Sequence, residues 1–424
     1  MARKMKDSGI EWIGEIPEGW EVHRMKSCIS QRDGGAWGDE ATGETGDCIC
    51  LRIADFDYEH FRFTDSNNLT IRHYASPIIR KLLLQKNDIL IEKSGGGEKT
   101  PVGRTVLFDK EYPALFANFM DRLRCSDFIL PQYLQYVFVT FYKNRYPQNY
   151  IKQTTGIQNL DLSSMLADEF VPVPNLNEQK LIVCYLESKC SKIDNLLSKT
   201  CSSIEEYKKL KQAVITQAVA TQQCSHIKLK YLMNVIVDCP HETPTYSFTG
   251  NYYVIRTADQ ALASLRCDED MYRLDASEYK KRTRRLTLDK DDIVYGREGE
   301  RWGLACIVPE SNKYCLGQRI MQFRCNTKFL YPKYAMYALN SEPVYLQGVA
   351  DTIGSTSPHV NISTICNYLL PVPALTEQKE IADYLDAKCT EIDRLIAKKE
   401  HLVKELESYK KSLIYEVVTG KREV

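Results

Sequence analysis

The residues best suited to phosphate chemistry are Ser94-Gly95-Gly96-Gly97-Glu98-Lys99-Thr100, a glycine run ending in a cation and a hydroxyl. A nucleotide-binding loop needs glycine directly before Lys-Thr, so that backbone amides and the ammonium converge on one phosphate. Glu98 stands in that place and would repel phosphate. The segment suits contact with a nucleic-acid backbone better. It presents Lys93, Ser94 and Lys99, with Arg104 just beyond, after the apolar run Ile89-Leu90-Ile91. Arg297-Glu298-Gly299-Glu300-Arg301-Trp302-Gly303 is its counterpart later in the chain, with Arg297 aligned to Lys93. Arginine reads guanine O6 and N7 through two hydrogen bonds, which makes Arg297 and Arg301 candidates. An ordinary hairpin tip has the same composition.

Three further groups belong with these. Lys280-Lys281-Arg282-Thr283-Arg284-Arg285 holds five cations in six residues, a density suited to neutralising phosphates, although basic runs are usually solvated faces. Thr154-Thr155-Gly156-Ile157-Gln158 and Gly354-Ser355-Thr356-Ser357-Pro358-His359 precede two long polar segments. Thr154, Thr155, Gln158, Ser355, Thr356 and His359 offer hydrogen bonds to phosphates or base edges, and would equally build tight turns.

Catalytic constellations are not legible. No Asn/Asp-Pro-Pro-aromatic tetrad is present to hold a flipped base, and no glycine-rich cofactor loop follows a strand. Asp88 and Glu92-Lys93 lack the Asp…Glu-x-Lys spacing of metal-dependent nucleases. The fifteen cysteines are scattered without a Cys-x-x-Cys pair, and Cys239-Pro240-His241 has no second ligand pair. Reduced thiols serving as small core residues are expected, with no metal and no cofactor in this chain. Lys and Arg together balance Asp and Glu at 56 each, so any nucleic-acid footprint must be local. No run approaches the roughly 18 apolar residues of a membrane span, and the start has no signal-peptide core. A cytoplasmic location is expected.

These candidates sit on a duplicated frame. Val171-Pro172-Val173-Pro174-Asn175-Leu176-Asn177-Glu178-Gln179-Lys180 recurs as Leu370-Pro371-Val372-Pro373-Ala374-Leu375-Thr376-Glu377-Gln378-Lys379. Earlier segments echo as well: Leu51-Arg52-Ile53-Ala54-Asp55 with Ile255-Arg256-Thr257-Ala258-Asp259, and Leu123-Arg124-Cys125 with Phe323-Arg324-Cys325. Short apolar runs bounded by Gly, Pro and Asn read as strands. Each Pro-x-Pro opens a long helix. The second, from Ile381 through Leu385, Lys388, Ile392, Leu395, Lys399, Leu402, Leu406, Tyr409 and Leu413, steps by four and three. The first keeps Ile182, Leu186, Ile193 and Leu196 on the same rhythm. A 3.5-residue stripe this narrow needs a partner. An antiparallel coiled coil of the two helices is expected, because a whole domain separates them. The fold class is mixed α/β with pseudo-two-fold internal duplication. The expected divisions are a globular domain at 1–175, a helix at 176–223, a second globular domain at 224–374 and a second helix at 375–424.

The sequence resembles the specificity subunit of type I restriction–modification systems over nearly its whole length. The opening Ser8-Gly9-Ile10-Glu11-Trp12-Ile13-Gly14-Glu15-Ile16-Pro17-Glu18-Gly19-Trp20, the doubled Pro-x-Pro…Glu-Gln-Lys helices, Gly354-Ser355-Thr356 and the ending Val418-Thr419-Gly420-Lys421-Arg422 carry the resemblance. The resemblance implies two target recognition domains, each reading one half of a bipartite double-stranded DNA site. It implies a coiled-coil ruler between them, and two modification subunits that bring S-adenosylmethionine for adenine N6 methylation. Restriction subunits would add ATP- and Mg-dependent translocation and cleavage, leaving this chain non-catalytic. The rival reading is a coiled-coil assembly adaptor whose globular halves bind protein.

Overall fold

The computed structural model describes residues 3–64, 68–153, 156–220, 224–266, 268–352 and 358–424. The chain forms two compact units, one of residues 1–198 with 403–424 and one of residues 199–402. Each unit thus holds a globular region, the first part of one long helix and the last part of the other.

In the first unit, strands β1 (Ile29–Gly34), β2 (Asp47–Leu51), β3 (Ile89–Glu92), β4 (Thr105–Leu107), β5 (Ala114–Phe116) and β6 (Met120–Cys125) form the centre. An antiparallel sheet runs β4-β3-β6-β1, while β5 pairs in parallel with β2. Helix α1 (Pro131–Lys143) covers the sheet, and α2 (Leu176–Ala220) follows Pro172 and Pro174.

The second unit repeats the plan with β7 (Met233–Asp238), β8 (Tyr252–Ile255), β9 (Ile293–Gly296), β10 (Ala305–Ile307), β11 (Tyr314–Leu316) and β12 (Ile320–Cys325). Its sheet order is β7-β12-β9-β10, and β11 pairs in parallel with β8. Helices α3 (Pro332–Leu339) and α4 (Leu375–Val418) complete it.

The sequence echoes have physical causes. Asp88 accepts from Nε and Nη2 of Arg124 at 2.8 and 2.9 Å, and Asp292 accepts from Nε and Nη2 of Arg324 at 2.8 Å each. Each pair ties a turn before one strand to the neighbouring strand. In the repeated Glu-Gln-Lys, the glutamine is the working member. Gln179 is fully buried; its Oε1 accepts from the Leu130 amide at 2.7 Å, and its Nε2 donates to the Phe128 and Pro174 carbonyls at 3.0 and 2.8 Å. Gln378 does the same with Tyr331, Phe329 and Pro373 at 2.8, 2.9 and 2.9 Å. Each amide therefore clamps the start of a long helix to the start of the domain helix.

The helices pair antiparallel, since within each unit the start of one packs with the end of the other. Ile182, Leu186, Cys190, Ile193 and Leu197 share one core with Leu413, Ile414, Val417 and Val418. Ile215 and Val219 share the second unit's core with Ala382, Leu385 and Cys389, and Ile381 packs against it. Lys410 pairs with Asp194 at 2.6 Å, and its counterpart Lys211 with Asp393 at 2.8 Å. The strict heptad reading needs correction here. Leu196 and Leu402 are 52% and 43% exposed, Leu395 is half-buried, and the seam takes Leu197 instead. A straight helix of 3.6 residues per turn drifts from a 3.5-residue stripe, and α1 and α3 supply apolar cover that two isolated helices would lack. Ile392 is buried, and Leu406 packs at the edge of the first core.

The two ends of the chain meet within the first unit. Trp12, Ile13, Ile16 and Trp20 join the core beside Val417 and Val418. Gly420, at φ +71°, lies where a Cβ would fall 2.4 Å from the Pro17 ring. Only glycine fits there, which accounts for the Thr-Gly-Lys ending.

Candidate nucleic-acid interface

In the first unit, the candidate loop leaves the fully buried strand β3. The Lys93 ammonium lies 2.7 Å from Asp121, which also pairs with Arg32 at 2.6 Å. Ser94-Gly95 pairs antiparallel with Gln158-Asn159, and the Ser94 hydroxyl lies 2.7 Å from Asn159 Oδ1. Structure thus brings Gln158 beside the Lys93-Ser94 segment, from which it is far apart in sequence. Gln158 itself is buried, and its Oε1 accepts from the Val102 amide at 3.2 Å. Lys99 is exposed at the loop tip. Arg104 points inward: it grips Glu92 at 2.7 and 3.0 Å and stacks 3.6 Å above the Tyr58 ring. Burial keeps the Glu92 carboxyl above its ordinary range despite that guanidinium. Thr154 and Thr155 lie outside the described residues.

The basic run of the second unit divides by burial. Helix Ala276–Arg282 places Lys280 and Lys281 on its exposed side, and Lys281 pairs with Glu242 at 2.8 Å. Arg282 is buried, donating to the Leu316 carbonyl at 2.9 Å, to that of Gly317 at 3.2 Å and to that of Glu242 at 3.0 Å. Its role is to fasten the helix to the turn after β11. Lys280, Arg284 and Arg285 are exposed and, among the described residues, bear no ion pair. They form the unspent part of the charge.

Arg297 is mostly buried between Glu298 and Asp238, the latter at 3.4 Å. Arg301 is exposed but donates to the Ala258 and Gln260 carbonyls at 2.9 and 3.1 Å. His359 bridges to Glu298, and the Gly299 amide donates to the Pro358 carbonyl at 2.9 Å, so this loop meets the segment before α4. Ser355 and Thr356 lie outside the described residues.

Sequence reasoning had not joined Asp238 to Cys239 and His241, whose ligating atoms lie within 4.8 Å of one another. Asp238 instead faces the Arg297 guanidinium and His241 Nε2 at 3.0 Å. Burial pushes the Cys239 thiol up to about 11, so it stays protonated at neutral pH. Among the described residues, no helix is long and apolar enough to cross a membrane.

The family model of the type I restriction modification DNA specificity domain matches residues 52–206 and again 239–407, more than half of the chain. The chain belongs to this specificity family. The two matches fall one in each repeat. The chain is 22% identical over 366 residues to the type I restriction enzyme MjaVIII specificity subunit of Methanocaldococcus jannaschii, covering 81% of this chain and 80% of that one. It is 23% identical over 389 residues to the StySPI specificity subunit of Salmonella potsdam, covering 87% and 81%. A chain from a solved type I R-M system, studied for complex assembly and conformational transition, shares the fold with a TM-score of 0.70. That match has 15% identity over 96% of this chain and 99% of the other. The specificity family thus accounts for the doubled domain and the doubled helix together.

Proposed function

We propose that this chain is the DNA-reading subunit of a type I restriction–modification complex, with each repeat reading one half of a bipartite site. The supporting observation is the contrast within the duplication. The buried clamps repeat residue for residue, as with Gln179 and Gln378, or Lys410-Asp194 and Lys211-Asp393. The loops beside them do not: Ser94–Thr100 is a glycine run with Glu98, Lys99 and Thr100 exposed, whereas Arg297–Gly303 exposes Glu300 and Arg301 and buries Arg297 and Trp302. A shared frame with unlike surfaces suits two different half-sites.

The paired helices would hold the half-sites at a set distance. Two modification subunits would carry S-adenosylmethionine and methylate adenine, and restriction subunits would supply ATP-driven cleavage; the chain's own part is recognition. Among the candidate cations within the described residues, Lys99, Lys280, Arg284 and Arg285 are exposed and able to meet phosphates. The buried or engaged Arg104, Arg282 and Arg297 would hold the reading loops in place.

The test is exchange of residues 1–170 for those of a relative with another site. One half-site should change while the other persists, as read by mapping methylated adenines. Change in both halves would end the reading of two independent modules.

A further inference from the structure

One turn recurs in both units with matched main-chain hydrogen bonds at its two ends and its side chains changed. In the first unit Ala117-Asn118-Phe119 joins β5 to β6; in the second Gly317-Gln318-Arg319 joins β11 to β12. The turn starts on a matched bond: the Ala117 amide donates to the Leu51 carbonyl at 2.9 Å, and the Gly317 amide to that of Ile255 at 2.8 Å. It ends on another, the Phe119 carbonyl accepting from the Lys93 amide and the Arg319 carbonyl from the Arg297 amide, both at 2.9 Å. Arg282 adds its bond to the Gly317 carbonyl. Each turn is therefore locked to the candidate loop of its own unit.

The side chains have no comparable internal use. Phe119 is 47% exposed, a large apolar group left in water. Arg319 is exposed, and among the described residues no hydrogen bond or ion pair holds its guanidinium. The guanidinium passes 3.4 Å from where a side chain on Gly299 would begin, so the glycine leaves its path clear. Gln318 beside it donates to the Thr243 hydroxyl, whereas Asn118 is exposed. An arginine free on a fixed backbone can take guanine O6 and N7 together, and an exposed phenylalanine can pack on a thymine methyl.

We propose that this turn is the base-reading position of each unit, Arg319 selecting guanine in one half-site and Phe119 selecting thymine in the other. The inference rests on the DNA-reading function proposed above. The full-length chain, in the complex that it forms in its host, is given a pool of duplexes with randomised half-sites, and the bound fraction is sequenced. The wild type should enrich a bipartite site. Arg319→Ala should lose preference for guanine at one position by about 10- to 100-fold, with the other half-site unchanged. Arg319→Lys, which keeps the charge and its donors but not the planar fork, should recover the preference for guanine only in part. Phe119→Ala should relax one position of the opposite half. Thermal melting should be unaltered in all three, because these side chains hold nothing in the fold.

Arg319→Ala that keeps every preference, or that weakens binding equally across all sequences, overturns base reading and leaves a phosphate contact or nothing. Loss at one shared position from both alanine variants overturns the assignment of one turn to each half. If the wild type enriches no sequence, the DNA-reading function itself falls, and this inference with it.

Discussion

The glutamine clamps make a quantitative demand on the fold. Gln179→Leu keeps the volume of the side chain and removes its polar end, so no cavity opens. Three backbone groups lose their partner: the Leu130 amide and the carbonyls of Phe128 and Pro174. A buried polar group without a partner costs about 1–3 kcal/mol. The bond to Pro174 is wholly buried, whereas those at Leu130 and Phe128 are partly reached by water. The expected loss is therefore about 2–4 kcal/mol, a large share of the roughly 5–15 kcal/mol that stabilises a domain. Gln179→Glu should be worse, because it keeps one acceptor, loses both donors and buries a charge.

Tryptophan fluorescence during urea unfolding separates the units, as Trp12, Trp20 and Trp37 belong to the first and Trp302 to the second. Gln179→Leu should lower the midpoint of the first signal, and Gln378→Leu that of Trp302, read with the other tryptophans changed to Phe. A change below about 1 kcal/mol in either would show that the repeated glutamine does not fasten helix to domain.

Other expectations follow from the same structure. Lys410→Met should destabilise by about 3–5 kcal/mol by stranding Asp194, and Lys410→Met with Asp194→Leu should recover most of it; an equal loss in the double variant, by denaturant titration, would refute the pairing. Neutralising Lys280, Arg284 and Arg285 together should reduce the salt dependence of DNA binding by a slope of roughly three without altering the preferred sequence. A changed sequence would refute the phosphate role. Burial pushes the thiols of Cys28, Cys306, Cys315 and Cys325 up to about 12. The unfolded chain loses those protons first as pH rises above the free thiol value. Stability should then fall by ~1.4 kcal/mol per pH unit for each thiol through the interval up to about 12. Melting under reducing conditions that is flat from pH 8.5 to 10.5 would refute it.

The frame was legible in sequence because it is repeated. Leu176–Ala220 and Leu375–Val418 are helical where Pro-x-Pro and the apolar period placed helices. The period was less exact than the seam, and Leu196 and Leu402 fell outside because each helix also packs on a domain. The candidate site was harder to read. Lys280 to Arg285 looked like one charged stretch, yet burial divides it: Arg282 faces carbonyl oxygens that lie more than thirty positions away, invisible to any local pattern. Arg104 likewise met Glu92 and Tyr58 through the sheet. Phe119 and Arg319 carried no motif at all. The available signal was their matching position in the repeat with unlike side chains.

That contrast bears on how such a chain changes its DNA site. The turn at 117–119 or 317–319 is fixed by main-chain bonds at both ends, and neither bond depends on the side chain at 119 or 319. Substitution there should cost the fold little, since exposed side chains away from packing or buried polar groups usually shift stability by under about 0.5 kcal/mol. The residues behind the turn have no such freedom. Arg282 satisfies several buried carbonyls, and Arg104 neutralises a fully buried carboxylate. Replacing either leaves unpaired polar groups in the core. Changes of specificity without loss of folding should therefore gather at the turn and the loop tips, while the buried arginines behind them stay fixed.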